Sequence, residues 1–257
     1  MTTLTRVRCT AALLGLTASL ACAGEAQPLR IGATFTLDQS GALARMDTAA
    51  AGRLVVILGP SGQILRSAAA GDLEIAIAHA PPLERRLVQS GRVALACPLF
   101  SSRFAIVGPA ADPARVAQAT TAADAFRRIA IAHAPFVSRG DSSGTHVKEL
   151  ELWRAAGSST TGATWHIESG TDQATALRVA AQRRAYALAD LPTWERLAPD
   201  GQRILFADDT MLTNPYTLYV MRPGDTAFAR YAMEGWRARV AALGFVTRPG
   251  ACAEVQP

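Results

Sequence analysis

Residues 135–150 read Pro-Phe-Val-Ser-Arg-Gly-Asp-Ser-Ser-Gly-Thr-His-Val-Lys-Glu-Leu. Pro135 to Ser138 is a brief extended run, and the polar residues that follow open a helix carrying Val147, Leu150 and Trp153 that ends near Gly157. A strand feeding a Gly/Ser loop and then a helix is the repeating unit of an α/β fold.

The same order recurs on both sides. Upstream, Leu29 to Thr36 reads as a first strand running into a Thr-rich loop, and Leu54 to Leu58 is an apolar run ending at Gly59-Pro60-Ser61-Gly62 before a short helix through Ala70. Leu73 to His79 is a strand that stops at Pro81-Pro82, and Arg103 to Val107 is another, closed by Gly108-Pro109. Thr121 with Asp124 caps a helix whose apolar face is Ala122, Ala125, Phe126, Ile129 and Ala130. Downstream come Trp165 to Ile167, a helix around Leu177, Tyr186 to Ala189, and a returning strand at Thr217 to Met221. A closing helix has Phe228, Tyr231, Ala232 and Trp236 on one side. The alternation predicts an α/β chain with a largely parallel sheet.

The chemistry concentrates between Ser138 and His146. A helix N-terminus presents unpaired N–H groups and a partial positive charge, so this junction suits an anion. The dipole contributes only about 0.3–1 kcal/mol at exposed sites. Arg139 adds a charge-assisted contact, and Ser138, Ser143 and Thr145 add hydroxyl donors. Gly140 and Gly144 let the backbone approach, and Asp141 is read as orienting Arg139 or capping the helix. The plainer reading is a capped helix beside a solvated arginine. Two further polar loops at strand ends, Thr34-Phe35-Thr36 and Ser61-Gly62, tilt toward a ligand, because open α/β sheets bind outside the carboxyl ends of their strands.

Gly140-Asp141-Ser142-Ser143-Gly144 also matches the G-x-S-x-G nucleophile elbow, which keeps a serine esterase open as a remote alternative; His146 is the nearest histidine in sequence. No catalytic residue is assigned. The histidines 79, 133, 146 and 166 show no i, i+4 pairing and the cysteines no C-x-x-C, so neither a metal site nor a cofactor is expected. The four tryptophans are read as core, Trp194 the least firmly because it follows a loop that could edge a cleft.

Hydrophobic residues make up 49% of the 257 and charged residues 18%, an ordinary globular balance. Arg6 and Arg8 precede an apolar run from Ala11 to Ala21, the layout of a signal peptide over residues 1–23 with Ala21-Cys22-Ala23 as cleavage site. Losing those two arginines takes the formal charge from +5 to +3, too little to argue for nucleic acid. A lipoprotein signal would place Leu three residues before Cys22, where Ser19 stands, so lipid anchoring is the minor reading beside soluble export. Cys97 and Cys252 remain, to pair in an oxidising compartment or to stay two buried thiols.

At these residues the chain resembles the periplasmic tungstate-binding proteins of ABC transporters, in the type II periplasmic binding protein class. The likeness runs from Leu29 to about Val240 and is densest from Ala134 to Leu150; Gly71-Asp72 through Pro81, Ala105 to Pro109, and Asn214-Pro215-Tyr216 add to it. The resemblance implies two α/β lobes of mixed sheet, 24–104 plus 213–257 and 105–212, joined near Cys97–Gly108 and Leu205–Tyr216. It implies a tetrahedral oxyanion, tungstate or molybdate, touched by Arg139, Ser143, Gly144 and Thr145 with Asp141 behind Arg139, and handed to an ABC permease by a periplasmic monomer. Thr34, Thr36, Ser61, Ser138 and Gly170 complete the expected site. The chain departs from the family at Ala33-Thr34-Phe35-Thr36, where two hydroxyls are missing, and at Ala49 to Gly52, where a longer segment is usual. Asp172, in the loop Ser169 to Gln173, would favour phosphate if it faced the cleft. A phosphate or sulfate binder and a sensor that has lost its anion therefore stand as alternatives.

Overall fold

The computed structural model describes residues 28–46 and 54–255; the leader, Cys22 and the Ala49–Gly52 segment lie outside them. One lobe is built on β1 (Leu29–Thr34), β2 (Leu54–Gly59) and β3 (Ile75–Ala78), which run parallel with β1 in the middle. Its helices are α1 (Phe35–Gln39), α2 (Ser61–Ala70) and α3 (Pro81–Gln89). The first strand is shorter than the sequence suggests: after Thr34 the chain turns directly into α1, so the Thr-rich segment is a helix start and not a loop.

The fourth strand, β4 (Leu95–Pro109), is the chief correction to the sequence reading, which saw only Arg103 to Val107. Its first half pairs antiparallel with β9 (Thr213–Val220), from Leu95↔Val220 to Arg103↔Thr213. From Phe104 onward it pairs instead with β7 (Tyr186–Asp190). One continuous strand thus belongs to two sheets, and the change of partner between Arg103 and Phe104 marks where the lobes meet. β9 also closes on β3, Ile75↔Val220 to Ala78↔Thr217. Both lobes are accordingly mixed, not mainly parallel.

The second lobe sets β5 (Phe136–Ser138) between β6 (His166–Glu168) and β7, all parallel, with β8 (Gln202–Phe206) on β4. Helices α4 (Ala122–Ile131), α5 (Gly144–Ala155), α6 (Gln173–Gln182) and α7 (Leu191–Leu197) cover it. Thr121 caps α4 by accepting from the Asp124 N–H, and Ala122, Ala125, Phe126 and Ile129 are buried, as their spacing predicts. In α5 the spacing misleads. Leu150 is 43% exposed, whereas Glu149 is buried because its carboxylate accepts from Trp153 Nε1 at 3.0 Å and lies 2.9 Å from His166 Nε2. A buried acid that is fully hydrogen-bonded can occupy a core position.

Aromatic packing anchors each core. Phe126, Phe136 and Trp153 meet edge-on or tilted at 4.4–5.4 Å in the second lobe. In the first, Phe100 lies against Tyr216, Trp236 and Phe245, and Trp236 Nε1 donates to the Ala42 carbonyl at 2.7 Å. Trp236 lies on α8 (Thr226–Arg239), which returns the chain to the first lobe. Trp194 is buried among Val107, Ala189 and Leu177, a core residue. Cys97 and Cys252 are bonded, resolving the pairing that sequence left open. The bridge pins the C-terminal strands β10 (Val246–Thr247) and β11 (Ala253–Glu254) to the outer side of β4.

Candidate functional site

The parallel strands of both lobes point their carboxyl ends at one crevice. β1 ends at Thr34, β2 leads to Ser61, β3 leads to His79, and β5 ends at Ser138 with Arg139 next in sequence. All five side chains are buried, Arg139 at 2% exposure. The structure therefore gathers Thr34, Thr36, Ser61, Ser138, Arg139, Ser143, Gly144 and Thr145 in or beside this crevice.

Arg139 is held from behind. Its Nη2 donates to Asp141 Oδ2, and its Nε donates to the Thr171 carbonyl at 3.2 Å. The other Asp141 oxygen accepts from the Ser143 N–H at 3.0 Å. One carboxylate thus fixes both the guanidinium and the first turn of α5. Burial pushes the Arg139 pKa down while Asp141 opposes the change, and a guanidinium stays charged throughout. No partner is found for Nη1 among the described residues.

The start of α5 is capped by Ser143, not by Asp141 or Ser142: its hydroxyl accepts from the His146 N–H at 3.2 Å. The N–H groups of Gly144 and Thr145 have no acceptor among the described residues, so two donors and the positive helix end face the crevice. Thr145 contributes its backbone only, since its hydroxyl donates to Gln173 Oε1 at 3.0 Å. Ser138 Oγ accepts from the Gly140 N–H at 3.2 Å and keeps its own proton to give.

Across the crevice stands the start of α2. Ser61 is fully buried, and its Oγ has no hydrogen-bond partner among the described residues. Gly62 donates its N–H to the Ser142 carbonyl at 3.0 Å, tying α2 to the loop of the other lobe that carries Arg139. A second tie links Gln39 to α6: its Nε2 donates to Asp172 Oδ1 at 2.7 Å and its Oε1 accepts from the Ala174 N–H at 3.1 Å. Asp172 also caps α6 through the Thr175 N–H and hydroxyl. Desolvation raises its pKa, but these donors outweigh it and the net shift is downward. Gly170 is exposed and stands apart from the buried set; its left-handed turn brings the Thr171 carbonyl to Arg139.

Ser142 also has a left-handed backbone and is exposed. His146 Nδ1 accepts from the Ser142 N–H at 3.2 Å, so that ring serves the serine's backbone and not its hydroxyl. The nucleophile-elbow reading thereby loses its nearest base.

Four residues at the crevice went unassigned from sequence: His79, Asp190, Asn214 and Tyr216. His79 Nδ1 lies 2.8 Å from Asn214 Oδ1, and its ring stacks on Tyr216 at 4.8 Å between centroids. Burial lowers the His79 pKa to about 4, against the opposing hydrogen bond to Asn214, and Arg139 lowers it further. Asp190, buried at the end of β7, accepts from Ser102, Thr193 and Asn214; burial raises its pKa and these bonds oppose the rise. A lone histidine carries no periodic signal, and Asn214 and Tyr216 showed only as part of a family-like stretch.

Among the described residues no cluster of three His, Cys, Asp or Glu is placed to hold a metal, and no helix is long and apolar enough to cross a membrane.

Residues 31–235 match a family model described as a PBP superfamily domain. The chain is 36% identical over 203 residues to a putative ABC transporter anion-binding protein of Haloferax volcanii, covering 77% of this chain and 58% of that protein. It is 31% identical over 172 residues to the tungstate-binding protein TupA of Peptoclostridium acidaminophilum, covering 66% and 59%. The chain thus spans just under three fifths of these two relatives. Among solved structures it resembles the tungstate ABC transporter from Geobacter sulfurreducens, 32% identical with a TM-score of 0.68 over 84% of this chain and 93% of that one. It also resembles TupA from Desulfovibrio alaskensis G20, 28% identical with a TM-score of 0.67 over 88% and 100%.

Proposed function

The chain belongs to the PBP superfamily, and from that premise we propose that it is a periplasmic solute-binding protein that closes two lobes on a tetrahedral oxyanion, tungstate or molybdate, and presents it to an ABC permease. The lobes are taken as residues 24–104 with 213–257 and residues 105–212, a division one residue past the point where β4 changes partners. Capture needs no bond making or breaking, so no catalytic role is assigned, and the protein acts as a monomer.

The carrying observation is that the crevice offers donors whose acceptors are missing from the described chain: the buried Ser61 Oγ and the Gly144 and Thr145 N–H groups, beside the Arg139 guanidinium. Leaving a buried donor or acceptor unpaired costs about 1–3 kcal/mol each, and an acceptor-only dianion relieves several at once. Both nearby carboxylates are committed, Asp141 to Arg139 and Ser143, Asp172 to α6 and Gln39. A ligand that must itself donate a proton is thereby disfavoured, which supports tungstate or molybdate over hydrogenphosphate in this reading. Sulfate satisfies the same donors, and size then decides.

Calorimetric titration with tungstate, molybdate, sulfate and phosphate tests this. Tungstate or molybdate should bind at least tenfold tighter than phosphate, and Arg139→Ala should weaken binding a hundredfold or more, about 3 kcal/mol for a truncated buried charge contact. Phosphate as the tightest ligand, or an Arg139→Ala protein that binds as well as the original, defeats the proposal.

A further inference from the structure

Asp190, Asn214, His79, Tyr216 and Thr36 form one buried chain of hydrogen bonds, and the direction of its protons from Asp190 through Asn214 to His79 follows from its acidic end. Asp190 Oδ1 receives the Ser102 hydroxyl at 2.6 Å and Asn214 Nδ2 at 2.9 Å. A carboxylate among donors requires the amide nitrogen of Asn214 to face it, so the amide oxygen must face His79. That oxygen, 2.8 Å from His79 Nδ1, can only accept; the ring proton therefore sits on Nδ1 and Nε2 carries a bare lone pair. Thr36 Oγ1 is 3.4 Å from Nε2, and its hydroxyl is the donor within reach there among the described residues. Thr36 Oγ1 is in turn supplied by Tyr216 OH at 3.0 Å, the shorter of that hydroxyl's two contacts, the other being Asp190 Oδ1 at 3.4 Å, and Asn214 Nδ2 supports Tyr216 OH at 3.2 Å. Thr34 Oγ1 stands 3.1 Å from Thr36 Oγ1, and with the Thr36 proton on Nε2 it is the donor of that pair; because Tyr216 already supplies Thr36, the Thr34 proton is free to turn to a ligand.

Resting on the oxyanion reading above, we infer that this relay sets ligand choice: it spends the Thr36 hydroxyl on capping the Nε2 lone pair of His79, and it leaves Thr34 as the hydroxyl that the β1–α1 turn gives to the anion. His79, Asn214, Asp190 and Tyr216 are positioning residues, and Thr36 is a mask over an acceptor. The crevice then shows the ligand donors alone. Without the mask, a proton-bearing anion such as hydrogenphosphate gains a partner at Nε2.

Two measurements on the whole protein test the inference. Nitrogen-15 NMR of the histidine rings, with His79 assigned through His79→Asn, should show the Nδ1–H tautomer. Calorimetry should show Thr34→Val weakening tungstate binding about tenfold or more, the loss expected for a hydrogen bond to a charged group. Thr36→Val should instead lower the tungstate-to-phosphate affinity ratio about tenfold, chiefly by strengthening phosphate. An Nε2–H ring overturns the relay whether or not tungstate binds. A Thr36→Val protein that loses tungstate as Thr34→Val does, with an unchanged ratio, overturns the mask. An Nδ1–H ring in a protein that binds no oxyanion would uphold the relay and remove the capture reading instead.

Discussion

The Gly62 N–H donates to the Ser142 carbonyl at 3.0 Å, a backbone-to-backbone hydrogen bond that joins the first turn of α2 to the loop carrying Arg139. With the Gln39–Asp172 and Gln39–Ala174 bonds it makes three polar ties between the lobes outside β4 and its return path. None of these groups is charged on both sides, so the ties hold the lobes in register without a deep ion pair to break on opening.

Gly144 is where closure is most easily blocked. A Cβ at this position would lie 2.3 Å from the His79 carbonyl oxygen, which is backbone and cannot swing away. Gly144→Ala should therefore fold with little loss of stability, since each lobe keeps its own core, yet fail to bring α5 against His79. Tungstate affinity should drop by tenfold or more in calorimetry, and small-angle scattering should show a larger radius of gyration with ligand present than the parent protein has. An unchanged affinity would mean that the two lobes do not need this contact.

Ser61→Ala separates binding from stability. Removing a buried hydroxyl that has no partner within the described chain takes away a desolvated group at no cost in hydrogen bonds, so the melting temperature should stay level or rise. Anion affinity should fall by about 1.5–3 kcal/mol, some ten- to a hundredfold. A drop in stability without loss of affinity would show that the hydroxyl serves the fold.

The contrast between Arg139 and His79 shows what sequence reveals here. Arg139 sits in a strand–loop–helix junction whose glycines, hydroxyls and charge lie together in sequence, so local chemistry alone singles it out as a candidate. His79 acquires its role from Asn214, 135 positions away, and from a ring stacked on Tyr216. No spacing rule connects such residues, because the pairing of β3 with β9 is what places them together. The fold was legible for a similar reason. Short apolar runs between Gly/Pro turns gave β1, β3, β5 and β7 to within a few residues. The length of β4 was hidden, because a strand that changes sheets breaks its alternation of buried and exposed positions at the point of change.

The Cys97–Cys252 bridge closes a loop of 155 residues that contains the second lobe entirely. In the chain-entropy view such a loop contributes about 5 kcal/mol by restricting the unfolded chain, with measured values commonly 2–4. Replacing both cysteines by serine should lower the denaturant midpoint by an amount equivalent to about 2–4 kcal/mol, and adding reductant to the parent should do the same. Anion affinity should hardly change, because the bridge lies on the outer side of β4, away from the crevice. Equal midpoints with and without reductant would indicate that the thiols are not joined in solution.

Acid should loosen the protein through His79. Its folded-state pKa, about 4, lies below the value of about 6.5 in an unfolded chain. Above pH 6.5 the ring is neutral in both states and its neutral burial costs nothing in protons. Between pH 6.5 and 4 the unfolded chain binds a proton that the folded ring refuses, so stability falls with each step down in pH by up to about 1.4 kcal/mol per unit. The loss totals about 3 kcal/mol by pH 4 and levels off below it. The charged groups bearing on the ring act in opposite directions, Arg139 against protonation and Asp141 for it, with the Asn214 bond also favouring the proton; burial outweighs the last two. Denaturant titrations of the anion-free protein across pH 7.5 to 4 should show this slope, and His79→Asn, which keeps a donor to Asn214 but cannot ionise, should flatten it. A slope that persists unchanged in His79→Asn would assign the acid sensitivity to another group.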